Sequence, residues 1–154
     1  LETIKKSKGL VLVFSRFIPF GVLPFVLMLE QNGFTRECLP DEEYPLLEHS
    51  PLPGGKGGKR EPICYMCGEN LKHSNHIEDE KSTNYHVFKI AKYILFIGNT
   101  ADDIVKITRE QALQKFSSKN NKYGEEIKVF IGTKTISEGL DFKRLRQVHI
   151  IEPW

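Results

Sequence analysis

The stretch Lys128-Val-Phe-Ile-Gly-Thr-Lys-Thr-Ile-Ser-Glu-Gly-Leu-Asp141, running on to Val148-His-Ile-Ile-Glu-Pro-Trp154, decides how this chain folds. Lys128 to Ile131 is a short β-branched and aromatic run, long enough for a buried strand and too short for a helix. It stops at Gly132, and the hydroxyls of Thr133, Thr135 and Ser137 follow. Gly139 permits a backbone conformation closed to most residues, with the Asp141 carboxylate two positions later. A second strand, Gln147 to Ile151, is stopped by Pro153. A buried strand that ends in a loop of glycine and hydroxyls has two readings. It is a turn between core strands, or the carboxyl edge where open α/β sheets place ligand contacts.

Outward from that stretch the same pattern recurs. Gly9 to Phe14 is apolar throughout, as expected of a strand buried on both faces of a parallel sheet, and it breaks at Ser15-Arg16-Phe17. A serine and an arginine at a strand's carboxyl end suit a nucleic-acid phosphate, and a solvated arginine after a core strand is the plainer alternative. Ala91 to Ile97 is a further strand, closed by Gly98-Asn99-Thr100, where Thr100 is either a phosphate contact or a turn residue. Between these, Val22 to Gln31 predicts a helix with Pro24 in its first turn and a stop at Asn32-Gly33. Phe34 to Cys38 is a candidate strand. Thr108-Arg-Glu-Gln111 is a capping box opening a helix whose apolar face includes Leu113 and Phe116. Ser117 to Tyr123 is expected to be a polar linker. Strands alternating with helices imply a parallel α/β sheet.

The composition sets bounds. A chain of 154 residues suffices for one domain with a real core, and a net charge of +2 provides no strong global field toward nucleic acid or membrane. Any nucleic-acid site must then be a local patch. Ile18 to Leu29 is too short and proline-rich to cross a bilayer. The first residue is Leu, no signal peptide is recognisable, and the last strand stops at Trp154, so the chain is expected to be a piece of a longer protein. Three cysteines do not make a secreted disulfide framework; two of them form a C-x-x-C pair, which suits a reducing compartment and a metal.

From Leu39 to Tyr85 the alternation collapses. Prolines 40, 45, 51 and 53 and the run Gly54-Gly-Lys-Gly-Gly-Lys-Arg60 describe a flexible insertion with a basic tip. The run is not a Walker A loop: Pro53 stands where the first glycine is needed, Arg60 replaces the magnesium-holding hydroxyl, and no strand precedes it. Its lysines remain available for loose phosphate contact. Inside the insertion, Cys64-Tyr-Met-Cys67-Gly68 resembles a zinc knuckle. Zn²⁺ takes four ligands in a tetrahedron, so two more must come from His73, His76 and His86, with Cys38 an outside candidate. His86 with either His73 or His76 is favoured. A metal here would clip together a polar insertion that lacks its own core. Two semi-buried free cysteines are the plainer alternative; a redox pair is the other, disfavoured because the cysteines do not sit at a strand-to-helix junction.

Thr133, then Gly139-Leu140-Asp141, then a strand ending in Glu152-Pro153-Trp154, resembles motif V of superfamily 2 helicases and translocases. Gly9 to Arg16 resembles motif IV, and Leu113-Gln-Lys-Phe116 and the Gly-x-Thr turn at Thr100 resemble the Snf2-like branch. The ending is most similar to helicases and transcription ATPases of large nucleocytoplasmic DNA viruses. The resemblance implies an incomplete, parallel-sheet RecA-like helicase C-terminal domain: residues 1–38 begin it, 39–85 are the insertion, and 86–154 continue it. It implies ATP and Mg²⁺ in the full-length protein, DNA or RNA as partner, a missing N-terminal RecA-like domain, and viral transcription machinery around it. Thr133, Ser15, Arg16 and Thr100 would touch nucleic acid; Gly139 and Asp141 would border the nucleotide cleft. Lys134 and Ser137 are weaker candidates. No Walker A lysine, acidic box or arginine finger is present in the sequence, so this stretch alone is expected to have no ATPase activity. The alternatives are a zinc-stabilised nucleic-acid-binding module and a degenerate RecA-like scaffold in a transcription complex. An intracellular site is expected, either a viral factory in the cytoplasm or the virion.

Overall fold

The apolar runs become five parallel strands, β1 (Leu10–Phe14), β2 (Thr35–Arg36), β3 (Lys92–Phe96), β4 (Val129–Gly132) and β5 (Leu145–Ile150), in the order β2-β3-β4-β1-β5. The computed structural model of the protein describes residues 1–37, 61–77, 83–96, 109–134 and 142–152. Cys38, the 54–60 glycine run, Gly98 to Thr100, Thr108, residues 135–141 with Ser137, Gly139 and Asp141, and Pro153-Trp154 lie outside the described residues.

Burial explains the strand order. All four residues of β4 are buried, so the fully apolar Val-Phe-Ile-Gly segment occupies the middle of the sheet. β5 alternates between half-buried and exposed, as an edge strand with one covered face does. The sheet packs helices on both faces. Val11, Val13, Tyr93, Leu95, Val129 and Ile131 meet Ile4 of α1 (Glu2–Lys5), Val26 and Leu29 of α2 (Leu23–Gln31) and Val22 just before it. On the other face Leu10, Ile94, Phe96 and Phe130 meet Phe116 of α4 (Arg109–Phe116), with Phe142 against both Phe116 and Phe130. This is a RecA-like α/β arrangement, as the sequence pattern implied.

Several local expectations change. The first helix begins later than Val22: residues Ile18–Val22 form a π-helical turn instead. Pro24 has no N–H to give to the carbonyl four residues back, and the wider turn closes through Val22 N–H to Phe17 O at 3.0 Å. The helix ends where Asn32-Gly33 signalled, in a Schellman motif with Phe34 N–H donating to Leu29 O at 3.1 Å and Gly33 N–H to Glu30 O at 3.1 Å. β5 starts at Leu145, two positions before the apolar run begins. The expected linker 117–123 is not loose. Ser118 caps a 3₁₀ turn, Lys119–Asn121, and the buried Asn121 donates to the carbonyls of Phe116 and Ile127 at 3.1 and 2.9 Å. Its amide oxygen accepts from Glu126 and Ile127 N–H groups, both at 2.9 Å. One side chain thereby satisfies four backbone groups that a strand entrance would otherwise leave buried and unpaired.

Candidate functional site

The parallel register sets two groups of residues at opposite edges of the sheet. At the carboxyl edge, Phe14 pairs with Gly132 and with Ile150, so Ser15, Thr133 and Ile151 emerge side by side. Ser15 N–H donates to Gly132 O at 3.1 Å and Ile151 N–H to Phe14 O at 3.0 Å, carrying the ladder one step beyond the strands. Thr133 is 8 % exposed and its N–H donates to Phe96 O at 3.3 Å. Lys134, next along, is exposed, as is Arg16.

Ser15 does not reach solvent. It is fully buried, and its Oγ lies 2.7 and 2.9 Å from the two carboxylate oxygens of Glu152. The same carboxylate accepts from Arg16 N–H at 3.0 Å, while Ser15 Oγ accepts from Phe17 N–H at 3.3 Å. A hydroxyl has one proton, and its acceptors here are the Glu152 carboxylate and Phe17 O at 2.9 Å, so Ser15 is engaged within the fold where β1 and β5 end. Gly21 is part of that latch: a Cβ there would sit 1.9 Å from both Ser15 Oγ and Glu152 Oε1. Sequence reasoning gave Glu152 and Gly21 no role. The available signal was positional, because Glu152 follows β5 as Ser15 follows β1.

At the amino edge the knuckle folds against the core. Cys64 N–H donates to Glu69 O at 2.8 Å and Gly68 N–H to Cys64 O at 2.9 Å, closing the turn. Gly68 sits at φ +78°, and a Cβ on it would come within 2.9 Å of Lys5 Cβ, so both the turn and its seat on α1 call for glycine. Tyr65 N–H donates to Lys89 O and Ala91 N–H to Ile63 O, at 2.9 and 2.8 Å, fastening the turn to the lead-in of β3. Ile63, Cys64 and Tyr65 are buried in the α2-side core. This part of the insertion is therefore integrated with the domain core, contrary to the expectation of a polar excursion without one.

Cys64, Cys67, His76 and His86 bring one ligand atom each to within 4.8 Å of all the others. Cys64 Sγ lies 3.4 Å from His86 Nε2, Cys67 Sγ 3.3 Å from His76 Nε2, and the two Nε2 atoms are 3.2 Å apart. Zinc bonds of about 2.0–2.1 Å to nitrogen and about 2.3 Å to sulfur give a tetrahedron with edges of roughly 3.3–3.8 Å; these three separations lie near the short end of that range, and the four atoms need only a small adjustment from their 4.8 Å spread to close on an ion. The far side of each ring is already oriented: His76 Nδ1 is 2.9 Å from Asn70 O, and His86 Nδ1 is 3.0 Å from Asn84 O. Each carbonyl fixes the tautomer that leaves Nε2 free to ligate. Burial pushes the His76 imidazole below its usual range and the Cys67 thiol above its own, so the imidazole is neutral and the thiol holds its proton until a cation displaces it. His76 comes from α3 (Ser74–Ile77), and Phe88 packs edge-on against its ring at 5.1 Å. His73 is not in the group; its Nδ1 accepts from Asn75 N–H at 3.3 Å. Cys38 and Thr100, along with Gly139 and Asp141, lie outside the described residues.

One more residue at this edge was not singled out as functional from the sequence. Lys128 is fully buried just before β4, and its ammonium donates to Lys5 O at 2.6 Å and to Tyr65 O, the carbonyl inside the cysteine turn. Burial lowers its pKa to about 8, with charge at Cys64 and Cys67 acting in the opposite direction.

A five-stranded, all-parallel sheet with helices on both faces fits the class of RecA-like α/β domains. Over its whole length it is 34% identical, across 155 residues, to a "Termination factor NPH-I homolog" of African swine fever virus, of which it matches 20%. It is 24% identical over 156 residues to the "Putative ATP-dependent RNA helicase L377" of Acanthamoeba polyphaga mimivirus, covering 98% of this chain and 12% of that protein. It is 26% identical over 147 residues to an "Early transcription factor large subunit homolog" of African swine fever virus, covering 95% of this chain and 10% of that one. The chain is thus similar to a termination factor, a putative ATP-dependent RNA helicase and an early transcription factor subunit of large DNA viruses, in keeping with the resemblance its motifs carry. It spans about a fifth of the length of the NPH-I homologues it matches. No family profile and no solved structure matches it. Among the described residues no helix is long and apolar enough to cross a membrane.

Proposed function

We propose that this chain is the second RecA-like domain of an ATP-dependent nucleic-acid helicase or translocase, with residues 39–85 inserted into it. The alignment of Ser15-Arg16 with Thr133-Lys134 at one sheet edge carries this reading. That edge carries two exposed cations, Arg16 and Lys134, next to the nearly buried Thr133, a surface suited to a phosphate backbone. Arg16 and Thr133 are the principal nucleic-acid contacts, and Thr100 is a further one. Ser15 acts through the Glu152 latch that holds Arg16 in place. Gly139 and Asp141 border the nucleotide cleft, closed by a first RecA-like domain elsewhere in the full-length protein. ATP and Mg²⁺ are its cofactors, and DNA or RNA within a viral transcription apparatus its substrate. A cytoplasmic viral factory or the virion is its place of action.

The test is nucleic-acid-stimulated ATP hydrolysis by the full-length protein. Thr133→Val and Asp141→Ala should each lower the stimulated rate at least tenfold, about 1.4 kcal/mol of barrier, in protein that still melts cooperatively. Wild-type rates in both variants would favour a scaffold. The 154-residue chain alone should hydrolyse nothing, because the Walker A and arginine-finger groups are not in its sequence.

A second element rests on its own observation. The convergence of Cys64, Cys67, His76 and His86 fits a structural Zn²⁺ with a closed shell of four protein ligands. This centre sits at the amino edge, away from Thr133, which supports a structural role over direct participation in nucleic-acid binding. Metal analysis of purified protein should give one zinc per chain, falling to none in Cys64→Ser/Cys67→Ser. A protein that binds nucleic acid through the metal-bearing segment, and not through Arg16, would favour the zinc-stabilised binding module instead.

A further inference from the structure

A buried ammonium is expensive unless it is paired, since its desolvation costs several kcal/mol even after relaxation. Lys128 has no exposed surface and, among the described residues, its hydrogen-bond partners are two carbonyls, with no carboxylate within ion-pair distance. A methionine would fill the same space without that cost, so hydrophobic packing does not account for the lysine.

The two carbonyls indicate what the ammonium is for. One ends α1 at Lys5; the other belongs to Tyr65, between the two cysteines. The backbone of Lys128 is fixed independently, its N–H donating to Lys92 O and its carbonyl accepting from Val11 N–H, both at 2.9 Å. The cation therefore reaches from the entrance of the central strand into the turn that presents Cys64 and Cys67. Loading a metal there removes both thiol protons and adds a dication, so the centre stays near neutral overall, and what the ammonium contributes is geometric, through its hydrogen bond to the Tyr65 carbonyl.

Given the metal reading above, on which this inference rests, we propose that Lys128 is the positioning residue of the metal centre. Its ammonium holds the cysteine turn in ligating geometry through the Tyr65 carbonyl and thereby fastens the centre to β4. Groups that orient metal ligands from the outer shell typically contribute 10–100-fold to metal affinity.

The experiment is Co²⁺ titration followed by Zn²⁺ competition against a chelator, on wild type, Lys128→Met and Lys128→Arg. Wild type should develop the absorption of tetrahedral cobalt–thiolate. Lys128→Met should bind about 10–100-fold more weakly, with an altered cobalt spectrum, and Lys128→Arg should recover part of the loss. His73→Ala, outside the ligand group, should bind as wild type. Wild-type affinity and spectrum in Lys128→Met would overturn this inference and leave the metal reading standing. No cobalt–thiolate absorption in wild type would overturn both. Should Lys128→Met fail to fold, amine acylation of wild type, read by peptide mass spectrometry, decides. Metal should slow modification of Lys128 at least tenfold while leaving half-exposed Lys92 unchanged, and equal rates with and without metal would overturn the role.

Discussion

The two edges of this sheet solve the same problem, how to end parallel strands, in different ways. At the carboxyl edge, β1 and β5 are joined by a small polar latch of Ser15, Glu152 and the Arg16 N–H, packed against the bare backbone of Gly21. At the amino edge, α1, the cysteine turn, the lead-in of β3 and the start of β4 converge on Lys128 and on four metal-ligating side chains. One edge is held by ordinary hydrogen bonds and keeps Arg16 and Lys134 exposed. The other commits its chemistry inward. The five steps from Lys128 to Thr133 along β4 span roughly 16 Å at the usual rise per residue, so the metal end and the proposed phosphate-binding end share a strand without sharing a ligand.

This contrast can be broken most directly by removing the metal. Chelation, or Cys64→Ser/Cys67→Ser, should lower stability by about 4 kcal/mol if zinc is present at a thousand times its dissociation constant. Thermal melts with and without chelator measure this, and a carboxyl-edge variant such as Ser15→Ala should keep its chelator sensitivity in full. A smaller effect is expected at Gly21. Gly21→Ala places a methyl 1.9 Å from Ser15 Oγ and Glu152 Oε1, so the latch must open, at a cost of about 1–3 kcal/mol in denaturant unfolding. Ser15→Ala should cost about 1–2 kcal/mol, because the Glu152 carboxylate then loses a hydrogen bond and keeps Arg16 N–H.

The smallest effect concerns pH. Burial pushes the Glu37 carboxyl up, but hydrogen bonds from Lys115 and Lys92, at 2.5 and 2.8 Å, outweigh it and hold the pKa below the ordinary 4.5. A depressed carboxylate stabilises the fold above the unfolded pKa, and that contribution disappears as pH falls through the folded value. Glu37→Gln should therefore be less stable than wild type near neutrality by less than about 1 kcal/mol, since both lysines are partly solvated, and the gap should close below pH 4.5. Urea midpoints at several pH values check the sign.

The sheet was legible because its strands are buried on both faces. Gly9 to Phe14, Tyr93 to Ile97 and Val129 to Ile131 are apolar without alternation, and that continuity is what central parallel strands require. The metal ligands were half legible. Cys64 and Cys67 announce themselves by spacing, whereas the choice among His73, His76 and His86 depended on which rings a four-residue helix and an irregular segment would turn toward the sulfurs. The Asn121 brace and the Glu152 latch were not legible, because each works through partners set by the chain path.

Local chemistry in the sequence determined where strands run, where α2 stops and that a C-x-x-C turn exists, since each depends on neighbours a few positions away. Only the tertiary structure decided that Lys128, the first residue of a core strand run, would send its charge into the cysteine turn. It alone decided that Ser15 would be consumed by a carboxylate 137 positions further on. Such pairings follow from the order β2-β3-β4-β1-β5, which sets the first strand between the last two, and burial of a polar group becomes tolerable only once that order supplies its partner.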